Sequence, residues 1–490
     1  MKMKILSISI IFALSSVGCV SLAPDYERPV APVAGSWPTI TTFPEEKVAA
    51  TAIADQIDWR SFFTDPVLRR LIEIALENNR DLRITALNVQ KAQAMYRVQR
   101  ANQIPTIAVS GVELAQRTSR NLSPTGQHIT SHQYNVDAGI SNYELDFFGR
   151  VASLKDQALE TYLASENAWR SGQISLIANV AVAYLNLIAD REHLRVVRDT
   201  LKNQQTFYDL IKVRFENGVA SEIDLWQART SVETSRVDVA NYTTMVAQDE
   251  SALVLLLGTN GLPEAIITDK VGDISSATLL DTGEVPSAIL QRRPDIMLAE
   301  HLLKAANANI GAARAAFFPS ISLTTTVGTV SSSLSGLFDN GSGTWKFSPQ
   351  ISLPIFDFGR NIANLDAAEA SRDIALAEYE KAIQSAFREV ANALVQRTTV
   401  DEQLMAQTAL LEATTATHNL ASIRYERGVD SYLSVLDAER SMYSANQGLV
   451  SMQQAKQINQ VMLYKALGGG VDRYDYPFEE KPTQAVTGTN

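Results

Sequence analysis

An internal duplication constrains this chain more than any other feature. The stretch VRFENGVASEIDLWQAR, residues 213–229, returns 210 residues later as IRYERGVDSYLSVLDAE, residues 423–439. Three further matches have this or a closely similar separation: Phe148-Gly149-Arg150 with Phe358-Gly359-Arg360, Leu257-Gly258 with Leu467-Gly468, and Pro105 with Pro319. Because an internal repeat determines the architecture, the chain is expected to fold as two similar halves. The only change in length lies between the prolines and the Gly-Arg pairs, which predicts a variable loop there.

The first residues indicate the cellular compartment. An apolar run over residues 5–17 follows two lysines and ends at Gly18-Cys19. It is too short to span a bilayer, which needs roughly 20 apolar residues, but it has the length of a signal-peptide core. Cys19 is the only cysteine, so no internal disulfide can form. The VGC stretch resembles a bacterial lipobox, although Ser16 replaces the usual Leu, and it implies cleavage before Cys19 and lipidation there. Val20 is not the Asp that commonly retains lipoproteins at the inner membrane, so the outer membrane is expected.

Charge and side-chain chemistry argue against several classes of function. The chain has 43 basic and 54 acidic residues and a formal net charge of −11, which offers no electrostatic footprint for nucleic acid. His128 and His132 have the spacing of two metal ligands on a helix, but a loop with no third ligand nearby is the expected setting. No serine, histidine and aspartate arrangement indicates an enzyme. No catalytic residue, metal or cofactor is expected.

Two long segments predict unusually long helices. From Arg150 to Glu216 the chain has one glycine and no proline, and from Asn361 to Arg427 it has neither. Both segments are rich in strong helix formers, with apolar residues in steps of three and four, as in coiled coils. Some 67 residues make a helix about 100 Å long. Gly218 and Gly428 are then expected to end these helices, because glycine adopts the left-handed conformation at little cost.

Shorter helices are expected to complete each half. Return helices over 222–257 and 431–467 would span roughly 55 Å, about half of the long helix. The segments 66–102 and 286–316 are helical in pattern and would supply the missing length. Each half is therefore predicted to place one long helix beside two shorter helices stacked end to end.

The segments between the prolines and the Gly-Arg pairs predict strands. Apolar and polar residues alternate near 134–141, 321–327 and 345–355, while a strand near 106–116 is placed mainly by its repeat partner. A half-buried soluble sheet gives the same period of two, but an outer-membrane address favours strands with one face to lipid and one to water. Four strands leave two open edges, which hydrocarbon does not tolerate. Three copies would close a 12-stranded barrel, and the duplication would make a trimer a quasi-sixfold cylinder.

Several motifs follow one another along the chain: the lipidated start, the LAPDYERP opening, the segment DWRSFFTDPVLRRLIEIALENNRDLR, the two Phe-Gly-Arg corners and the two Arg-x-x-x-Gly-Val turns. Their order resembles the outer-membrane factor family, the TolC and OprM type of exit duct, over nearly the whole chain. The lipidated start and the LAPDYERP opening are closer to the OprM, or NodT, branch. The resemblance implies a trimeric barrel continued by a helical periplasmic tunnel. It also implies a homotrimer in contact with outer-membrane lipid, a periplasmic adaptor, and an inner-membrane pump of the resistance-nodulation-division type, which together expel drugs and other small toxic compounds.

The expected fold is a mixed α and β membrane protein with a two-fold internal repeat, divided into ten segments. In chain order these are a signal peptide (1–18), a lipidated extended segment (19–65), tunnel helices of the first repeat (66–104), barrel strands 1 and 2 (105–147), the first long helical hairpin (148–258), an equatorial connection (259–285), tunnel helices of the second repeat (286–318), barrel strands 3 and 4 (319–357), the second long hairpin (358–468) and a C-terminal tail (469–490).

The turns of the two hairpins are the expected docking surface for the adaptor. If the helices project away from the membrane, these turns form the periplasmic rim. Helix termination alone explains the glycines but not the repeated Val-x-Ser. The residues expected to dock are Gly218, Val219 and Ser221 in the first turn and Gly428, Val429 and Ser431 in the second.

A periplasmic gate is expected just inside this rim. Leu433, Asp437 and Arg440 are spaced by single helical turns and share a face, and Asp437 corresponds to Gln227 in the first repeat. A solvated pair of Asp437 with Arg440 is the alternative. In the OprM type, the matching Leu and Asp form rings that close the tunnel, and the matching Arg helps to hold the helices shut.

Two other functions are compatible with the sequence. The same kind of duct serves type I secretion, in which an ABC transporter exports proteins. A purely structural periplasmic coiled coil would need no alternating strands. The lipobox and the opening segment favour efflux.

Overall fold

Each long helix ends at a turn, and the two turns have the same sequence pattern. A computed structural model of the protein describes residues 21–35, 37, 58–263 and 287–469. The long helices α4 and α7, Arg150–Glu216 and Arg360–Glu426, have 67 residues each. The return helices are α5, Glu222–Leu257, and α8, Tyr432–Ala466. Gly218 and Gly428 follow the long helices with φ of +72°, so the predicted helix ends are confirmed to within one residue.

The shorter helices differ from the prediction in their continuity. The segment 66–102 is interrupted at Asn79, whose side-chain oxygen accepts a hydrogen bond from the Leu82 N–H at 2.9 Å. The segment 286–316 begins with a 3₁₀ turn before Pro294, which occupies the first position of a helix, where its missing N–H is harmless. The resulting elements are α1 (Trp59–Phe62), α2 (Pro66–Asn78), α3 (Arg80–Ala101), the 3₁₀ turn Ser287–Arg292 and α6 (Pro294–Ala315).

The two repeats share one junction between short helices. In the first repeat, the Asn79 side-chain amide donates to the Leu256 carbonyl at 2.9 Å, at the end of α5. In the second, Arg293 donates to the Ala466 carbonyl at 2.6 Å, at the end of α8. Each donor therefore satisfies a helix-terminal carbonyl that has no partner within its own helix. These contacts place the short helices end to end, as the sequence predicted.

Gly258 closes the first of these junctions, and we expect substitution there to destabilise the protein. Its φ is +66°, and a Cβ atom would lie 2.4 Å from the Asn78 carbonyl oxygen. The Gly258→Ala variant should lose at least about 1 kcal/mol, since a left-handed alanine alone costs about that much. The measurement is the temperature at which trimers dissociate on gels. Gly261→Ala, where a Cβ would contact nothing within 4 Å, should behave as wild type; equal effects in both variants would contradict this account.

The four predicted strands form one antiparallel sheet in the order β1-β2-β3-β4. They are Ile107–Thr118, Ile129–Leu145, Ser320–Ser331 and Gly343–Ser352. The last strand stops before Pro354, which cannot donate to a ladder. The loop expected around His132 is shorter than predicted, because β1 pairs with β2 as far as Thr118 and Ile129. His132 therefore lies within β2, with Nδ1 3.1 Å from Glu113 Oε1.

The described chain divides into two compact units. One holds residues 21–30, 88–166 and 298–380, and so the whole sheet. The other holds the turns at Gly218 and Gly428. Among the described helices, α4 is the one with an apolar 18-residue stretch long enough to cross a bilayer, and 61% of that stretch is buried. A helix buried in the core of a protein has the same length and apolar composition.

Candidate functional site: barrel sheet, hairpin turns and gate residues

The sheet has one apolar and one polar face. The register places Val109, Ala138, Val327 and Trp345 in one row across the four strands. The adjacent row, on the opposite face, contains Ser110, Asp137, Gly328 and Thr344. Ser110 donates to Asp137 at 3.1 Å, whereas Trp345 is 77% exposed. This alternation is typical of a strand between lipid and a wet lumen.

Both edges of the sheet are open within the described part of one chain. β1 pairs with β2 alone and β4 with β3 alone. Unpaired edges carry rows of N–H and C=O groups that need partners. Further copies of the chain are required to satisfy them in a membrane.

The two hairpin turns have the same backbone geometry. After α4, the Val219 N–H donates to the Arg214 carbonyl at 2.8 Å, and after α7 the Val429 N–H donates to the Arg424 carbonyl at 2.9 Å. These bonds, with a left-handed glycine before each valine, form the Schellman motif that satisfies terminal carbonyls. Val219 and Val429 are 66% and 61% exposed. Each turn therefore presents a fixed apolar side chain to its surroundings.

The serines that follow the turns differ in their bonding. Ser221 and Asp224 form a reciprocal capping box, with Asp224 N–H donating to Ser221 Oγ at 3.1 Å. Ser431 precedes α8 without a side-chain cap, and Ser434, which stands where Asp224 stands in the first repeat, has no carboxylate to complete a capping box. The second turn is held instead by Arg424, whose Nε lies 2.6 Å from Asp430 Oδ2. Hydrogen bonding to this guanidinium holds the pKa of Asp430 below its usual value.

A small apolar core, here called the tip cluster, joins the two hairpins just inside their turns. Tyr432 packs against Phe207 and Tyr425 with ring centroids 6.1 and 5.8 Å apart. The Arg214 guanidinium lies over the Tyr425 ring, 5.0 Å from its centroid, in a cation–π arrangement. The buried members of the tip cluster are Ile211, Ala228, Tyr425, Tyr432, Val435 and Leu436.

The predicted gate residues share one face of α8. Leu433 is 56% exposed, and Asp437 and Arg440 are exposed as well. Val435 and Leu436, between them in sequence, are buried in the tip cluster. Asp437 and Arg440 form no ion pair with each other within the described residues. The face that carries the gate residues is free of contacts within the tip cluster and is available to a lumen or to other copies.

Sequence reasoning missed Glu439, which lies on the opposite face of α8. It is only 6% exposed, and the Gln204 side chain of α4 donates a hydrogen bond to it. Burial raises the pKa of Glu439 to about 7, against the lowering effect of Gln204 and Arg440. The sequence does contain a signal for this residue: the second repeat has an acid at position 439, where the first repeat has Arg229.

The N-terminal residues 22–28 lie along α6 and are here called the strap. Arg314 lies 3.4 Å from the Leu22 carbonyl oxygen and Asn307 donates to the Pro24 carbonyl at 2.7 Å. Arg28 Nη2 donates to Glu300 Oε2 at 2.8 Å. Glu300 is buried, which would raise its pKa, but hydrogen bonds from Lys304 and Arg28 outweigh burial and hold it below the usual value. Cys19 itself lies outside the described residues.

Comparisons with known proteins agree with this architecture. Residues 71–259 and 285–469 match the outer membrane efflux protein family. The chain is 49% identical over 453 residues to the probable efflux pump outer membrane protein TtgC of Pseudomonas putida, a match that covers 92% of this chain and 93% of that protein.

Two solved structures have the same fold. A membrane protein from Pseudomonas aeruginosa is 43% identical, with a TM-score of 0.85 over 92% of this chain and 98% of its own. The open state of the Neisseria gonorrhoeae MtrE outer membrane channel is 37% identical, with a TM-score of 0.80 over 93% and 99%. The predicted fold, a trimeric TolC-type channel with four strands per chain, is confirmed. The sheet argues against a purely structural coiled coil. The chain belongs to the outer membrane efflux protein family and is the outer-membrane exit duct of an efflux pump.

Proposed function

We propose that this duct is passive and that it is gated at its periplasmic end by Leu433, Asp437 and Arg440. The observation that carries the proposal is the exposed face of α8 with these residues, beside two turns that present apolar side chains. Three copies of Asp437 close to the axis would attract cations and repel anions, as acidic rings do in pores. Opening would be an iris-like movement of the second hairpin, with no chemical reaction in the chain.

The partners in this proposal are a periplasmic adaptor and an inner-membrane pump of the resistance-nodulation-division type. The adaptor would dock on the turns through Gly218, Val219 and Ser221 and through Gly428, Val429 and Ser431. Exposed valines on a rigid turn favour docking, because they lose little conformational freedom when covered. The substrates would be drugs and other small toxic compounds. We retain the ten-segment division of the chain as part of the proposal.

A cell-based assay tests this function. Cells that have a suitable pump and adaptor but lack their own outer-membrane duct should regain drug resistance when this chain is expressed. The pump and adaptor should co-purify with it after mild cross-linking. Co-purification with an ABC transporter, together with export of a protein and no gain of resistance, would favour type I secretion instead.

We further propose that Cys19 is lipidated and that the lipid enters the outer membrane beside the sheet. The strap supports this: the Arg314 side chain that reaches Leu22 belongs to α6, which ends at Ala315, five residues before β3. Leu22 follows Cys19 by three positions in the sequence, a stretch that spans at most about 10 Å. The described end of the strap, Leu22, therefore lies close to the base of the barrel strands, which supports a lipid anchor on this side of the sheet.

The Cys19→Ser variant is expected to lose all labelling by a radioactive fatty acid, because it has no sulfur to acylate. Its barrel should still insert, since the strands and their closure do not depend on the lipid. The measurement is labelling together with the amount of heat-modifiable trimer in outer-membrane fractions. Label retained in Cys19→Ser would place the lipid elsewhere, and wild-type protein that is soluble and monomeric would end the proposal.

A further inference from the structure

A line of polar side chains runs along the face of α8 that contacts the first hairpin, and we call it the α8 seam. Its residues recur at intervals of four and three, which places them on one helical face, and their partners lie on the first hairpin, α4 and α5. The pairs are Glu439 with Gln204, Tyr443 with Asp238 at 3.1 Å, Gln447 with Tyr242 at 3.3 Å, Ser451 with His193 at 3.5 Å and Gln454 with Asn186 at 2.8 Å.

This seam differs in character from the tip cluster beside it. Apolar packing resists separation because it exposes surface to water, whereas polar pairs exchange their hydrogen bonds for water at small net cost. The seam therefore resists separation of α8 from the first hairpin less strongly than the tip cluster does. Among the seam residues, Glu439 carries a buried carboxyl group, and its contacts depend most strongly on protonation.

Burial of Glu439 favours the neutral acid. The side chain is only 6% exposed, and a buried charge is unfavourable unless its surroundings compensate for it fully. The hydrogen bond from the buried Gln204 side chain stabilises the carboxylate and so opposes this effect, but burial is the larger influence on the Glu439 pKa. The carboxylate is therefore favoured by separation of α8 from the first hairpin, which lets water reach the charge.

We infer that Glu439 is a protonation-controlled latch: in its neutral form it holds α8 on the first hairpin, and in its ionised form it favours release. The latch rests on the proposed gate for its effect on conduction, because Glu439 lies between Asp437 and Arg440 on the same helix. Release of this part of α8 would displace both gate residues.

Other titratable groups lie on α8 and on the neighbouring helices, and their effects must be separated from that of the latch. Tyr432 and Arg440 lie on α8 itself, and Arg440 lowers the Glu439 pKa. On α7, burial lowers the pKa of His418, and farther along the seam burial lowers that of His193 on α4. Burial, together with a hydrogen bond that the protonated Asp249 donates to Asp190, raises the pKa of Asp249 on α5 to about 6. Substitution of Glu439 alone isolates its contribution from theirs.

The pH dependence has a definite sign. The pKa of Glu439 is about 7 in the packed arrangement and 4.5 for an exposed glutamate, so the packed arrangement binds more protons between these values. Packing is therefore favoured fully below about pH 4.5, and this advantage is lost as the pH rises through about 7. The equilibrium between packed and released α8 changes by at most about 300-fold over this range.

Cysteine cross-linking tests the latch directly. The reporter pair is Asp238→Cys with Tyr443→Cys, across the seam, and the reference pair is Gln407→Cys with Ala445→Cys, within the second hairpin, where the Gln407 amide meets the Ala445 carbonyl at 2.8 Å. With Glu439 present, the yield of the reporter relative to the reference should fall several-fold from pH 5 to pH 8. With Glu439→Gln, which is neutral at every pH, the ratio should stay high and constant. A ratio that falls equally in both would overturn the latch.

Two further variants separate the latch from a structural role. Gln204→Leu removes a hydrogen bond that lowers the Glu439 pKa, so its response should move to higher pH. Glu233→Gln, at an exposed acid paired with Arg236, should leave the response unchanged. Trimer yield checks folding. Conductance recorded in parallel distinguishes the two proposals: a seam that responds to Glu439 without a change in conductance supports the latch and contradicts the gate.

Discussion

The double variant Leu433→Ala with Asp437→Ala is expected to raise single-channel conductance several-fold in planar bilayers and to admit bulky antibiotics to cells. Both residues lie on the exposed face of α8, so in a trimer their truncation removes six side chains from the proposed constriction. The fold should survive, because neither side chain is buried, and surface substitutions usually change stability by less than about 0.5 kcal/mol. Asp437→Ala alone should weaken block by multivalent cations by removing the acidic ring.

The first repeat supplies a matched control for the gate. Ile223 and Gln227 occupy the positions that correspond to Leu433 and Asp437, and Ile223 is also exposed, at 68%. Ile223→Ala with Gln227→Ala should leave conductance close to that of wild type. Unchanged conductance in the gate variant itself would place the constriction elsewhere, with Asp224 and Asp430 as the next positions to change.

Gly428→Pro is expected to abolish most efflux while it lowers trimer yield much less, and Gly218→Pro should act in the same way. Proline fixes φ near −65°, whereas both glycines have φ of +72°. Proline also removes the N–H that Gly428 donates to the Tyr425 carbonyl at 2.9 Å. The turn would lose its shape and misplace Val429. Drug accumulation in cells and the amount of trimer are measured in the same strains.

Gly126 provides the control for these turn variants. It lies in the loop between β1 and β2 with φ of +68° and open space around its Cβ position, so Gly126→Pro imposes similar local strain far from the proposed docking surface. Efflux should persist in that variant. Equal losses of efflux and trimer in Gly218→Pro and Gly428→Pro would indicate general misfolding rather than lost docking.

Much of the fold follows from local signals along the chain. The absence of proline and the glycine after each long helix predicted α4 to its first and last residues. Strand β1 was difficult to predict from its own residues. Glu113 lies on the same face as Val109, and Leu114 lies on the opposite face, so apolar and polar residues do not alternate regularly. The limits of β1 are determined by pairing with β2, the next strand in the chain, rather than by its own pattern of apolar residues.

The candidate site also has one part that the local sequence predicts and one part that it does not. The exposed face of α8 follows from helical spacing, since Leu433 and Asp437 are one turn apart. The burial of Glu439 does not follow from local sequence, because its contact residue Gln204 lies 235 positions earlier in the chain. The break at Asn79 is similar: asparagine is a weak helix breaker, and the interruption depends on the Leu256 carbonyl at the end of α5.

The most direct test of a duct that closes at its periplasmic rim is the single substitution Asp437→Cys. If three copies converge there, oxidation should link pairs of chains by disulfides and block efflux, and a reducing agent should restore both monomeric bands and drug resistance. Glu233→Cys, on an exposed face of α5, should form no such links. Absence of links between chains at position 437, or linked chains that still support full efflux, would contradict the account.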